Sequence, residues 1–474
     1  MKRLIRQGLP LALLGALLAG CATPDKASRS PGMLDAGSLS LADSPGLPAT
    51  ESWWTTLNDP QLNALVRDAF EHSPTLDMAL ARLDRARAEA GIARSDEGPK
   101  IDAGVSADRQ RYSRYGLLPE PIGNNYFTTY SLALKGSWDL DLWGRRRAEL
   151  DAALGKARAA QLDTAEARRA IARAVVAQYT ALQRLQTRRT LIDERLQTLR
   201  QRQDLTRDRV RAGLVSADAL ATLATARSQF EQQANDLSHE MNTARHALAE
   251  LAGKPPGALD GMTAAAPLAP PALPRAGLTA NLLGRRPDIL ARKAEVEAAG
   301  AATQAARAAF YPDLSLTAFI GLSSLETGTW MKGDARTMGV TPALTLPIFH
   351  SGELKSNLAR EEAGRDMAIA SYNRTVLAAL KEAADALSQT DTAERRLTET
   401  AQALQSARQT RNAAQARFKA GLSNRLALLD AIDTELEQAS RHTDAIALAR
   451  LAQADLHTAL GGGFATRAPS QGQH

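Results

Sequence analysis

The residues able to do chemistry in this 474-residue chain are few and widely spaced. Its seven histidines, among them His72, His239, His246 and His350, form no ligand cluster. His239 and His246 are seven residues apart, about two helical turns, which sets them along one surface stripe rather than around an ion. The sequence contains no HExxH, P-loop or nucleophile elbow, so metal-assisted hydrolysis, phosphoryl transfer and acyl transfer lack candidate residues. Arg145-Arg146-Arg147 could hold a phosphate, but the run directly follows an alternating segment and reads better as the rim of a sheet. The expectation is a chain that is not an enzyme and carries no metal and no cofactor.

The one thiol has a different chemistry. Cys21 is the only cysteine, and it closes the quartet Leu18-Ala19-Gly20-Cys21 after Lys2, Arg3, Arg6 and an apolar run, Leu9 to Ala19, too short to span a bilayer. That quartet resembles the bacterial lipobox, in which the cysteine is acylated and becomes the first residue of the mature chain. Several acyl chains at about 0.8 kcal/mol per buried methylene anchor stably. By resemblance to lipoprotein sorting, Ala22 in place of an aspartate implies the outer membrane, with outer-membrane lipid as a partner.

Composition excludes several classes. Aromatic residues make up 4% and charged residues 23%, with alanine, leucine, arginine and glutamine filling the long central segments. That is the composition of long packed helices. The net charge of +6 raises the question of a nucleic-acid partner, but the arginines are spread among glutamates as on a solvated helix surface. No nucleic acid is expected.

The elements come twice. Ser73-Pro74 with Leu76 returns as Arg286-Pro287 with Ile289, and Pro99 returns as Pro312, both at an offset of 213; Ala212-Gly213-Leu214 returns as Ala420-Gly421-Leu422 at 208. A period this long is no solenoid, whose repeats run roughly 20–50 residues. The reading is a signal peptide over 1–20, an acylated extended leader over 21–50, a first repeat over 51–252, a Pro-rich linker over 253–284 without regular structure, a second repeat over 285–460, and a disordered tail over 461–474. Asp59-Pro60 gives an N-cap with proline at the first helical position.

Within each repeat the period changes from helical to two. Tyr130, Leu132 and Leu134 alternate with polar residues, as do Ile101, Ala103 and Val105, placing a β-hairpin over about 100–143. Leu314, Leu316, Ala318, Ile320 and Leu322, followed by Val340, Leu344, Leu346 and Ile348, place the second over about 313–348. After each hairpin a helical run of 65–70 residues, roughly 100 Å long, reaches a glycine and returns: about 145–252 with its tip at Gly213, and about 351–460 with its tip at Gly421. Each chain thus offers four strands. A membrane barrel needs about eight, and an open edge cannot face lipid, so other copies must complete it.

A lipobox, two β-hairpins, two long helical hairpins and glycine tips together resemble the TolC family of outer-membrane efflux channels, in its NodT-type lipoprotein branch. The matching stretches are Asp59-Pro60 through Gly91, Trp138 to Arg145, Arg285 to Ile289, Phe310-Tyr311-Pro312 and Pro347-Ile348-Phe349, with both tips. The resemblance covers nearly the whole mature chain; its weight lies in the order of the motifs. It implies a mainly α fold with a β-barrel portion: a homotrimer forming a twelve-stranded transmembrane barrel, continued by a long periplasmic α-helical barrel. It further implies a periplasmic adaptor and an inner-membrane transporter of the RND type, with the chain as a passive conduit for drugs or other toxic small molecules. A TolC-like exit duct for protein secretion and a non-channel periplasmic coiled-coil scaffold are the alternatives.

The resemblance also assigns residues. The tips Gly213-Leu214 and Gly421-Leu422 face the adaptor, with Asp218 as a weaker site in the first half. The periplasmic gate falls on Asp430 as an acidic ring, with Leu426 one turn nearer the tip as an apolar constriction. Asp433 stands where some relatives carry a basic residue, which removes one partner of an implied salt-bridge lock.

Overall fold

The computed structural model describes residues 32–34, 52–116, 120–267, 269–270 and 286–462. Cys21, most of the leader, the rest of the linker and the tail from residue 463 lie outside the described residues. In chain order the elements are α1 (Pro60–His72), α2 (Pro74–Ser95), β1 (Lys100–Arg111), β2 (Tyr126–Leu140), α3 (Arg145–Arg211), α4 (Asp218–Leu251), α5 (Pro287–Ala308), β3 (Asp313–Ser324), β4 (Arg336–Thr345), α6 (Glu353–Lys419) and α7 (Arg425–Ala459). From α2 onward the described elements repeat: α2 and α5 are both 22 residues long, β1 and β3 both 12, and α3 and α6 both 67.

The chain divides into two compact units, the first built from residues 83–159 and 292–372, the second from 34–82, 160–291 and 373 onward. At the heart of the first is one antiparallel sheet in the order β1-β2-β3-β4. The two hairpins join along β2 and β3, where Leu132 faces Leu322 and Leu134 faces Ile320. Alternation then gives the sheet two unlike faces. Ile101, Val105, Leu132, Leu134, Leu316, Ile320, Val340 and Leu344 share one face, while Asp102, Ser106, Lys135, Ser131, Thr317 and Thr341 share the other. Among the described residues nothing covers the apolar face: Ile101 is 74% exposed and Val340 68%. Both outer strands, β1 and β4, have an unpaired edge among the described residues.

The strands end earlier than alternation alone suggests. β2 stops at Leu140 and β4 at Thr345, so Leu346 and Ile348 lie beyond the sheet, where Pro347 has no N–H to continue a ladder. The Trp138–Arg147 stretch turns the chain from strand to helix. Asp141 accepts from the Arg147 N–H at 3.0 Å at the start of α3, Arg146 pairs with Asp139 at 2.9 Å, and Arg145 lies 3.6 Å from Asp313. The indole of Trp143 donates to the Pro312 carbonyl at 2.8 Å and stacks on Tyr311. The side chains of Arg145 and Arg146 are therefore occupied by carboxylates, and Arg147 contributes its backbone N–H.

The second unit is helical. Its core gathers Trp53, Leu62 and Val66 of the N-terminal segment against Val175, Val176, Tyr179 and Leu182 of α3. Asp59 caps α1 by accepting from the Gln61 and Leu62 N–H groups, both at 3.1 Å, and also from Tyr179 and Gln183. The start of the linker is more ordered than its prolines suggest. Pro256–Leu259 forms a 3-10 turn, and the Met262 carbonyl accepts from Arg245 and Gln186 on α4 and α3. Those side-chain donors supply what the proline-rich backbone cannot.

Candidate gate and docking tips

The tips are built by the same device in both repeats. At the first, the Leu214 N–H donates to the Arg209 carbonyl at 2.9 Å and the Gly213 N–H to Val210 at 3.0 Å. At the second, Leu422 donates to Arg417 at 2.8 Å and Gly421 to Phe418 at 3.0 Å. This six-to-one and five-to-two pattern needs a left-handed residue, and Gly213 and Gly421 supply φ of 70° and 71°. Next to each glycine is a bare leucine, Leu214 at 69% exposure and Leu422 at 78%. The returning helices start differently. Asn424 caps α7 by accepting from the Ala427 N–H at 3.0 Å, whereas at the first tip the hydroxyl of Ser216 donates to Asp218, tying that carboxylate into the turn.

The two tips also differ in charge. Around the first, Arg207 pairs with Asp204 at 2.8 Å and Arg211 with Asp208 at 3.8 Å. Around the second, Arg417, Lys419 and Arg425 stand in a stretch, residues 400–429, that holds no aspartate or glutamate.

Along α3 and α7, which run antiparallel, arginines of one helix meet aspartates of the other. Arg173 pairs with Asp455 at 2.6 Å, Arg184 with Asp444 at 3.4 Å and Arg195 with Asp433 at 2.8 Å. Both series are spaced by 11 residues, close to three helical turns, so the rungs recur on one stripe about every 16 Å. The rung nearest the tip is the most enclosed, with the Arg195 side chain 17% exposed. Its guanidinium forks onto Asp433 and lies over the Phe230 ring of α4, 4.4 Å from the centroid. Off the ladder and closer to the tip, Arg202 meets Asp430 at 2.9 Å.

The expected gate residues thus sit together on one stretch of α7. Leu426 is half-buried, Asp430 is exposed and Asp433 is half-buried, within two turns of one another. Sequence reasoning missed their partners, Arg195 and Arg202, which come from the other repeat. The signal was present as the shared 11-residue spacing of the arginines and aspartates. At the equivalent positions 208 residues away stand Lys381, Thr392 and Ala403 on α6 and Thr225, Asp236 and Ala247 on α4, so only the α3–α7 seam carries the ladder. On its other side α7 is held to α6 by Arg411 on Glu435 at 2.8 Å and by Thr400 on the His442 ring at 3.1 Å. Burial, with help from Arg408, holds the His442 imidazole below its ordinary pKa.

A family model described as outer membrane efflux protein matches residues 65–254 and 278–462. The chain is 32% identical over 437 residues to the putative multidrug resistance outer membrane protein MdtQ of Shigella flexneri, spanning 87% of this chain and 88% of that one. It is 30% identical over 452 residues to the multidrug resistance outer membrane protein MdtP of Escherichia coli K12, with 91% of each covered. Among solved structures, the outer membrane protein VceC of Vibrio cholerae matches with a TM-score of 0.77 at 29% identity, covering 88% of this chain and all of that one. The outer-membrane channel OprN matches with a TM-score of 0.79 at 27% identity, covering 93% and 99%.

Proposed function

Because the chain belongs to the outer membrane efflux protein family, we propose that it is the outer-membrane conduit of a tripartite efflux pump that exports small toxic molecules. The observation that carries this reading is the four-stranded sheet with one bare apolar face and two open edges, whose strands lead directly into helices 67 residues long. Such a sheet is costly in water and impossible as an open edge in lipid. Three copies close it into a twelve-stranded barrel with lipid outside and the Lys135–Asp102 face inside. The helices continue the passage into the periplasm. A passive channel of this kind needs no catalytic group.

In the trimer the acidic Asp430 side chains ring the axis with Leu426 below them, and Arg202 and Arg195 hold that stretch of α7 against α3. Crowded carboxylates favour cations in the constriction. The tips dock the periplasmic adaptor, with Leu214 and Leu422 as apolar contacts and the basic second tip, Arg417, Lys419 and Arg425, as the place for an acidic segment; an RND-type inner-membrane transporter supplies the energy. Cys21 carries the acyl anchor, the leader joins it to the two repeats, and the linker separates them.

Dye export in cells deprived of their own outer-membrane channel tests the reading. Wild type supplied with its adaptor and pump restores export, while Leu214→Asp combined with Leu422→Asp reaches the outer membrane and does not. Wild-type trimer in the outer membrane of cells that stay dye-loaded with every adaptor and pump supplied would overturn it.

A further inference from the structure

On β1 the apolar column runs Ile101, Ala103, Val105, Ala107 and then, in unbroken alternation, Arg109 and Arg111. On β4 it runs back through Leu344, Pro342, Val340 and Met338 to Arg336. Both ladders are continuous, so no bulge turns these arginines to the other face. Tyr126, which faces Arg111 across the ladder, gives a second mark. The guanidinium carbons of Arg109 and Arg111 lie 5.7 and 5.9 Å from its ring centroid. Arg111 also donates to Asn124 at 2.6 Å. The partner shown for Arg109 is the Tyr126 ring, whereas Arg114, in the loop that follows β1, pairs with Glu120 at 3.6 Å.

These arginines occupy the end of the sheet away from the helices, since β2 and β4 lead into α3 and α6 from the other end. A cation on the lipid side of a barrel is tolerated near an interface and expensive at mid-depth. The outer rim is therefore where the apolar columns stop. β1 and β4 are also the two open edges. Under the trimeric reading proposed above, on which this inference rests, β4 of one copy lies antiparallel to β1 of the next. Arg336 of one protomer then meets Arg109 and Arg111 of its neighbour on the membrane-facing surface.

We propose that each seam between protomers carries an outward-facing site for a phosphorylated lipid headgroup of the outer leaflet. Three guanidinium forks suit a phosphate's oxygens, and Met338, Val340 and Val105 continue from them as an apolar track for acyl chains. Tyr126 closes the site at headgroup level, as aromatic rings do at membrane interfaces. The site is complete only in the assembled barrel, so the lipid also ties one protomer to the next.

The test uses the full acylated protein in nanodiscs of phosphatidylcholine doped with bisphosphorylated lipid A or with its dephosphorylated form, with bound lipid counted by native mass spectrometry. Wild-type trimers retain bisphosphorylated lipid A and discard the dephosphorylated form. Arg109→Ala, Arg111→Ala and Arg336→Ala together lower that preference by about fivefold per arginine, about a hundredfold in all. The single variant Arg336→Gln, which leaves β1 intact, lowers it about fivefold. Trimers that retain both lipid forms equally, or a triple variant equal to wild type, overturn the site while leaving the conduit reading intact. Displacement of the lipid by excess inorganic phosphate would assign the arginines to a free anion and also overturn it. Wild-type protein that never forms trimers overturns the site and the conduit reading together, because the three arginines then never meet.

Discussion

Arg195 and Asp433 are joined by two parallel hydrogen bonds, 2.8 and 3.0 Å long, between helices contributed by different repeats of the same chain. The contact fixes α7 to α3 within the stretch proposed as the gate, and Phe230 under the guanidinium adds α4 to the same clamp. Paired forks of this kind are more directional than a lone lysine contact and are weakened less by neighbouring solvent.

Removing either partner of that clamp loosens the tip. Arg195→Ala and Asp433→Ala each destabilise the helical unit by about 1–2 kcal/mol, and a double-mutant cycle gives a coupling of about 1 kcal/mol. Thermal unfolding of the four proteins measures it. The outer rung, Arg173 with Asp455, is more exposed and couples by less, at most about 0.5 kcal/mol. Equal couplings at the two rungs would contradict the graded burial of the ladder.

The tips separate backbone from contact. Gly421→Ala places a Cβ on a residue with φ of 71° and costs about 1–2 kcal/mol in unfolding, because the six-to-one bond requires that conformation. Leu422→Asp leaves unfolding within about 0.5 kcal/mol of wild type and abolishes adaptor binding in a pull-down. Retained binding would move the docking surface away from the tips.

Arg286 is an internal staple. It is 2% exposed, pairs with Asp288 at 2.7 Å and Glu382 at 2.8 Å, and donates to the Ala459 carbonyl at the end of α7 at 3.1 Å. Burial alone would raise the Asp288 pKa, yet the bonds from Arg286 hold it below the ordinary carboxylate value. Arg286→Met strands the Asp288 carboxylate and a helix-end carbonyl while the exposed Glu382 turns to water, and a loss of about 2–3 kcal/mol is expected in denaturant unfolding.

Acid should weaken the helical unit through His457. Its ring stacks on Trp53, and burial holds its pKa below the ordinary 6.5. The unfolded chain therefore takes up the proton first as pH falls. The stabilisation is complete above about 6.5 and is lost on descent through that value, until the folded imidazole is protonated too. Half-buried Glu166, whose pKa desolvation raises, works in the opposite sense. The difference between wild type and His457→Gln isolates the histidine: the slope of melting temperature between about pH 7 and 5 is shallower in the variant.

Much of this architecture was legible in the chain because its signals are local. The glycines 208 residues apart, the switch from helical to alternating periodicity and Asp59-Pro60 each report on a few neighbouring residues. Strand ends were less legible, since Pro347 ends a ladder that side-chain alternation alone would continue. The clamp was illegible to a reading made repeat by repeat. Arg195 and Asp433 are 238 residues apart and face each other only after the two repeats pack. Their common 11-residue period becomes a signal once the two helices are laid side by side.

Single-channel recording of the purified acylated protein in planar bilayers, with wild type beside Asp430→Ala and Arg195→Ala, decides whether the chain forms a gated conduit. A gated trimeric conduit gives discrete cation-selective steps, rarer or smaller in wild type and larger or more frequent in both variants. Folded trimers of all three proteins that pass no ions would contradict it.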